Sequence, residues 1–245
     1  KFFLWLKLLY YFNSKGALTT KKILEKKPAP TIPFALSIAR TTCLDDDQVV
    51  QDYLDSFKTL YTYAPLFEIN ISCPNIPDTD YFKRGNFLRD LLEGLNQKNP
   101  QKKPLLLKIA PDLTPEEMKH IADLALEYKV HGVIISNLLK DLTKILPQST
   151  LYKGGVSGKL LKPFANQALS DFYTLTQGKI PLIGLGGILN GADAYEKIRR
   201  GASLLQLYSG MVLEGPGVVK QVLKELAYLL KKDGFTSISQ AVGKK

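Results

Sequence analysis

Two amides flank a thiol in Glu68-Ile69-Asn70-Ile71-Ser72-Cys73-Pro74-Asn75. Glu68 to Ser72 alternates as a strand does, and Pro74 cannot donate to a ladder, so pairing has to stop at Cys73. Asn70, Cys73 and Asn75 therefore gather at the carboxyl end of a strand and in the loop that follows it. In parallel α/β folds that edge is where ligands bind. Amides read a planar ring that carries carbonyl and N–H groups, and a thiol held between them can exchange a proton. The same residues also suit a plain strand–turn junction around a buried cysteine.

Further along, Lys108 interrupts the otherwise apolar Leu107-Lys108-Ile109-Ala110. A buried lysine needs a counter-charge, which an anionic cofactor ring would supply; snorkelling at a strand terminus is the alternative. Ser136-Asn137 ends the next apolar run with another hydroxyl–amide pair. Gly154-Gly155-Val156-Ser157-Gly158 sits on the connection after it, long enough to read as a functional loop. Glycines gather again in Gly184-Leu185-Gly186-Gly187 and in Tyr208-Ser209-Gly210. Bare backbone in such loops can approach a phosphate closely, although ordinary turns use glycine as well.

These residues need a scaffold that brings strand ends together. Strand-like runs at Ile32–Ala39, Leu66–Ser72, Pro104–Ala110, Gly132–Asn137, Ile180–Gly187 and Ser203–Gly210 alternate with helical patterns. The helices are expected at Asp46–Tyr63, Gly85–Asn96, Thr114–Tyr128, Pro163–Thr176, Gly191–Arg200 and Pro216–Lys231. Thr114-Pro115-Glu116-Glu117 is a capping-box start, Asn190 can cap the helix after it, and Gly201 can end that helix. Runs apolar on both faces, separated by single helices, imply a parallel sheet covered by helices. A doubly wound sheet usually carries its glycine-rich loop after the first strand, but here Arg40-Thr41-Thr42 follows it. Glycines after the last two strands are the pattern of a (β/α)8 TIM barrel's phosphate site. About six βα units are countable, so the expectation is an incomplete barrel forming a single domain over residues 1–245.

Composition narrows the class. A chain of 245 residues, 45% hydrophobic, can bury one good core. Cys43 and Cys73 are too few for a disulfide framework, which points to a reducing cytoplasm. His120 and His131 lack ligand spacing, so no metal is expected. The net charge of +10 is carried by scattered lysine pairs, without an arginine stripe or zinc-finger spacing. Nucleic acid is therefore not expected; a solvated face comes first, then attraction to anionic ligands or an acidic membrane surface. Lys1–Phe12 is apolar and aromatic but too short to span a bilayer, and it lacks a signal-peptide cleavage site. It reads as an interfacial helix, a buried helix or the edge of a longer chain.

Taken in order, NISCPN (Asn70–Asn75), KIAPDLT (Lys108–Thr114), SN (Ser136-Asn137), GGVSGK (Gly154–Lys159), IPLIGLGGI (Ile180–Ile188), GASLLQLYSG (Gly201–Gly210) and EGPG (Glu214–Gly217) resemble the dihydroorotate dehydrogenases. These are the flavin enzymes of pyrimidine synthesis. The resemblance runs from about Phe12-Asn13-Ser14 to about residue 231, and its QLYSG…EGPG ending leans to the membrane-associated, quinone-reducing class. It implies FMN as cofactor, dihydroorotate and orotate as substrate and product, a quinone as acceptor, and peripheral contact with the inner face of the cell membrane. By the same resemblance Asn13, Asn70, Asn75 and Asn137 hold the pyrimidine ring, and Cys73 is the base that takes the C5 proton. Lys108 lies near the flavin's pyrimidine edge, Ser136, Ser157 and Gly158 line the FMN, and Gly186, Gly187, Tyr208, Ser209 and Gly210 bind its phosphate.

The chain also departs from that pattern. Cys73 stands where the quinone-reducing class usually has Ser, and cysteine is the habit of the soluble class. Ser37 replaces an Asn that faces the flavin, Arg40-Thr41-Thr42 a GKNK-like run, and Leu138 a hydroxyl residue. The family's first two βα units and its amino-terminal helical pair have no counterpart, so the chain reads as an amino-terminally truncated relative with weakened FMN affinity. The first and last strands should then be open edges, exposed or bridged by the amino-terminal segment. Two other readings fit: a dihydrouridine synthase-like FMN barrel acting on tRNA, and a non-catalytic flavin- or phosphate-binding remnant.

Overall fold

The computed structural model describes residues 5–8 (as backbone), 15–28, 30–41, 44–72, 86–141, 143, 145 and 154–244. The strands are β1 (Trp5–Leu8), β2 (Ala35–Ala39), β3 (Leu66–Asn70), β4 (Leu105–Ile109), β5 (Gly132–Ile135), β6 (Gly155–Gly158), β7 (Leu182–Leu185) and β8 (Ala202–Gln206). The helices are α1 (Gly16–Leu24), α2 (Val49–Leu60), α3 (Phe87–Gln97), α4 (Pro115–Glu127), α5 (Lys162–Leu175), α6 (Gly191–Arg199), α7 (Ser209–Glu214), α8 (Val218–Lys232) and α9 (Ile238–Ala241).

Six strands form one parallel sheet in the order β2-β3-β4-β5-β7-β8. The order never reverses along the chain. A doubly wound sheet must reverse at its switch point, whereas a barrel adds each strand beside the last, so this sheet is wound as a barrel. β2 and β8 each have one strand neighbour among the described residues, so the sheet is open at both. Leu204 on β8 is 65% exposed, as an open edge allows. The amino-terminal segment corrects the expectation on two points. Residues 5–8 form a strand and not a helix, and β1 bridges neither edge but pairs antiparallel with β6. The Gly154–Gly158 segment, expected as loop, supplies that second strand.

Side-chain alternation explains how the core and the site share one sheet. On β3 and β4 the odd positions Phe67, Ile69, Leu105, Leu107 and Ile109 are buried in the core. The even positions Glu68, Asn70 and Lys108 fall on the opposite face, because successive side chains of a strand point to opposite sides. Helices cover the core face, each packed on the next from α1 to α6 and then α8. α3 buries Phe87, Leu88, Leu91, Leu92 and Leu95, and α8 buries Val218, Val222, Leu226 and Leu230, both at helical spacing. The capping box at Thr114 is complete: its side chain accepts from Glu117 N, and Glu117 accepts from Thr114 N. Asn190 caps α6 by accepting from Asp193 N.

The helix contact nearest the barrel's last loops is set by one residue. A Cβ on Gly191 would lie 2.1 Å from Glu225 Cβ and 2.8 Å from Leu226 N, so α6 and α8 meet through a missing side chain. Gly191→Ala is expected to cost at least ~1–3 kcal/mol, the usual scale of overpacking, because backbone as well as side chain blocks the methyl. Gly217→Ala, at an open position of helical backbone, should be neutral or slightly stabilising. Urea melts of the two variants check this, and equal midpoints would refute it.

Candidate functional site

Among the described residues, every one to which the resemblance gives a binding role lines one cavity of about 400 Å³. Asn70, Lys108, Ser136, Asn137, Ser157, Gly158, Gly186, Gly187, Tyr208, Ser209 and Gly210 all border it. It opens at the carboxyl ends of β3, β4, β5, β7 and β8, the face that carries chemistry in barrel enzymes. A neighbouring hollow of about 430 Å³, bordered by Ile71, Ile109, Leu113 and Glu117 among others, contains none of those residues. Asn13, Cys73 and Asn75 lie outside the described residues.

The amides are held by neighbouring polar groups. Asn70 Oδ1 accepts from Ser72 N (3.2 Å), Ser72 Oγ (3.2 Å) and Asn137 Nδ2 (3.3 Å). Asn137 Nδ2 also donates to Ser72 O at 2.8 Å, and its Oδ1 accepts from Leu138 N at 2.9 Å. Beneath them Tyr53 donates to the Asn70 carbonyl at 2.7 Å. Two amides from strands far apart in sequence are thus fixed in one network, the condition for reading a ring rather than merely touching it. Ser72, which links them, was a strand residue without a role in the sequence reading; only its alternation with Asn70 hinted at a partnership.

Lys108 does have a counter-charge, supplied by the protein. Its Nζ lies 3.1 Å from Glu68 Oε1, which also accepts from Ser37 Oγ at 2.9 Å. The expectation that a cofactor ring would be the lysine's partner is corrected to this extent: Glu68 already provides a counter-charge within the protein. Glu68 was missed as a site residue, although a lone carboxylate on the same face of the strand as Asn70 is a readable signal.

Glycines build the far wall. Gly186 and Gly187 have φ of +93° and +73°, a region open chiefly to glycine. A Cβ there would meet Leu161 Cδ2 at 2.7 Å and Lys162 Cβ at 2.5 Å, so the loop after β7 presents backbone to the cavity. After β8 the strand stops at Gln206 and a short helix begins at Ser209, earlier than the expected Ser203–Gly210 strand. That break brings Ser209 Oγ to 2.5 Å from Ser157 Oγ of β6.

Charge behind the β7 loop steadies it. Lys162 Nζ bonds Asp193 Oδ1 at 2.6 Å and Glu196 Oε2 at 2.9 Å, while Asp193 Oδ2 accepts from Leu189 N at 3.0 Å. Burial works against the Lys162 ammonium, but Asp193 and Glu196 outweigh it and raise its pKa. Burial likewise opposes the Glu196 carboxylate, yet the bond and charge of Lys162, with Asn166 and Arg200, hold it below the usual range. Lys197, fully buried beside this cluster, donates to Asn166 Oδ1 at 2.8 Å and has its pKa lowered to about 7.

The departures noted in the sequence are also placed. Arg40 donates to Leu44 O at 2.9 Å, in the loop before α2, and Thr41 donates through N (2.7 Å) and Oγ1 (2.9 Å) to Asp52 in the first turn of α2. Leu138 is buried and lines the cavity, where it packs against the bare face of Gly155.

The sequence and the fold were compared with known proteins. The family model described as dihydroorotate dehydrogenase matches residues 12–230. The chain is 40% identical over 243 residues to the dihydroorotate dehydrogenase (quinone) of Trichodesmium erythraeum, covering 95% of this chain and 64% of that relative. The Synechocystis protein of the same name is 40% identical over 223 residues, covering 87% and 58%. Ligand-free DHODH from Eimeria tenella superposes with a TM-score of 0.79 at 28% identity, covering 93% of this chain and 68% of that one. The ferulenol complex from the same organism gives 0.72 at 31% identity, covering 80% and 58%. This chain spans less than two thirds of the length of these curated relatives, 64% and 58%. Since the family match runs through every segment that walls the cavity, this chain belongs to the dihydroorotate dehydrogenase family.

Proposed function

We propose that the chain binds FMN in the 400 Å³ cavity and oxidises dihydroorotate to orotate in pyrimidine synthesis, with a quinone as final electron acceptor. The observation that carries this reading is the convergence of Asn70, Lys108 and Asn137 with the two loops after β7 and β8 in one cavity. The residues present fit the cofactor. The volume lies within the range of roughly 300–1,000 Å³ usual for such sites. Amide, hydroxyl and ammonium groups suit a ring bearing carbonyls and N–H groups. Gly186 and Gly187 line the cavity, and because a Cβ at either would run into Leu161 or Lys162 behind the loop, only main chain is available there to meet an anion.

In this reading Gly186, Gly187, Tyr208, Ser209 and Gly210 hold the phosphate, and Ser136, Ser157 and Gly158 line the rest of the cofactor. Lys108 sits at the ring's pyrimidine edge, where its charge favours electron uptake. FMN, when bound, supplies the two-electron acceptor for the hydride leaving C6 of the substrate. The protein supplies geometry and a base. Asn70 and Asn137, with Asn13 and Asn75, orient the pyrimidine, and Cys73 takes the proton from C5. A thiol has the lower reference pKa than a hydroxyl and is the easier base near neutral pH. The quinone rests on the names of the relatives, and contact with a membrane surface goes with it. Among the described residues no helix is long and apolar enough to cross a bilayer.

The test is spectroscopic. Protein incubated with FMN and dialysed is expected to retain flavin with a spectrum distinct from free FMN, and anaerobic dihydroorotate should bleach it. Retained flavin without bleaching selects the non-catalytic remnant. No retained flavin rejects the assignment of the cavity.

A further inference from the structure

The Glu68–Lys108 pair is placed where it has a consequence for chemistry. Ser37, Glu68 and Leu106 are register partners across β2, β3 and β4, and Asn70 is the partner of Lys108 one pleat further on. The sheet itself therefore brings the Glu68 carboxylate between a hydroxyl on one neighbour and an ammonium on the other. One oxygen, Oε1, takes both bonds, at 2.9 Å from Ser37 and 3.1 Å from Lys108. The side chains keep only 9% and 18% of their surface, and all three residues line the cavity. A buried ion pair of this kind adds little to stability compared with apolar residues of the same volume, so packing alone does not account for it. Its electrostatic effect is larger. An isolated ammonium favours negative charge on a nearby ring, whereas an ammonium paired with a carboxylate acts as a dipole whose field falls off faster.

We infer that Glu68 is a positioning residue for Lys108: it fixes the ammonium in the cavity and offsets part of its charge, and so sets how strongly the site prefers a reduced, anionic ring over an oxidised, neutral one. Ser37 tempers that effect by drawing on the same carboxylate oxygen. This inference rests on the FMN reading of the cavity and deepens it. It assigns roles to two residues that do no proton transfer and touch no reacting atom.

The experiment uses the full chain with FMN as probe. Oxidised FMN affinity is measured by fluorescence, and the midpoint potential of the retained flavin by equilibration with a reference dye. Together they give the ratio of oxidised to reduced dissociation constants. Glu68→Gln keeps shape and an acceptor but removes the charge. It should raise that ratio about tenfold, an upward shift of about 30 mV for a two-electron couple. Ser37→Ala, on an exposed residue of an edge strand, should move the ratio about twofold the opposite way, since the whole carboxylate charge then falls on Lys108. Retained FMN with an unchanged ratio in Glu68→Gln and Ser37→Ala overturns this inference and leaves the FMN reading standing. Failure of the wild-type chain to retain FMN overturns both.

Discussion

Cys73→Ala should slow the reduction of bound FMN by dihydroorotate by about 10²- to 10⁴-fold, the span expected when a general base is removed. FMN retention should stay near the wild-type level, because the contacts proposed for the cofactor come from Lys108, Ser157 and the loops after β7 and β8. Cys73→Ser should fall between the two: the hydroxyl keeps the shape, but its far higher pKa makes proton removal harder unless a neighbour activates it. Anaerobic stopped-flow bleaching of the flavin reads the rate directly, and a denaturation curve on each variant separates chemistry from stability. A cysteine that merely packs would give the reverse pattern, with stability lost in both variants and the bleaching rate of the folded fraction unaltered. Wild-type bleaching in Cys73→Ala would remove the thiol from the mechanism.

Lys197→Met should stabilise the protein at pH 6 and lose that advantage by pH 10. Lys197 is fully buried, and its pKa is lowered to about 7. Burial is the main cause; Glu196 and Asp193 oppose it, while Lys162 and Arg200 repel the ammonium and add to it. In the unfolded chain the same group titrates near ~10.4. Below about pH 7 the lysine is charged in both states, and folding carries the full cost of burying the ammonium. Between there and the unfolded value the unfolded chain binds more protons, so this group makes stability rise with pH. The shift corresponds to a cost on the order of 5 kcal/mol at low pH. Methionine removes it but leaves the Asn166 carbonyl without its donor, which returns roughly 1–3 kcal/mol. A net gain of about 2–4 kcal/mol is expected at pH 6. Urea midpoints of wild type and variant at pH 6 and pH 10 check the sign, and an equal difference at both values would disprove the buried-charge account.

Much of this molecule was legible along the chain because the relevant physics is local. Every apolar run read as a strand overlaps a strand of the sheet, with its ends displaced by a few residues, and each paired helical pattern overlaps a helix. Alternation and helical spacing report which face meets the core, and neither depends on distant partners. The capping box at Thr114 was equally readable, since both of its bonds close within four residues. The chemistry at the strand ends could be listed for the same reason: polar residues that follow an apolar run, as Asn70 and Ser136-Asn137 do, stand at the strand's carboxyl end.

Other features required the fold. Residues 5–8 are a strand only because β6 offers a partner more than a hundred positions away, which no local pattern announces. Lys197 sits in a helix that mixes four charged residues with Ala194 and Ile198, so its type alone suggests a solvated position; it is buried because Asn166 of α5 and β7 lie against it, where Gly184, with no side chain, leaves room for its aliphatic stem. The clearest case is Glu68. Its type and its place in a strand were fixed by the sequence, but its partner lies 40 residues on, in Lys108, and its second contact 31 residues back, in Ser37. The sequence by itself determined which groups would stand on the carboxyl face of a barrel-type sheet. Strand register, a property of tertiary structure, decided which of those groups neutralise one another, because Coulomb interactions and hydrogen bonds depend on distances that only the assembled sheet sets.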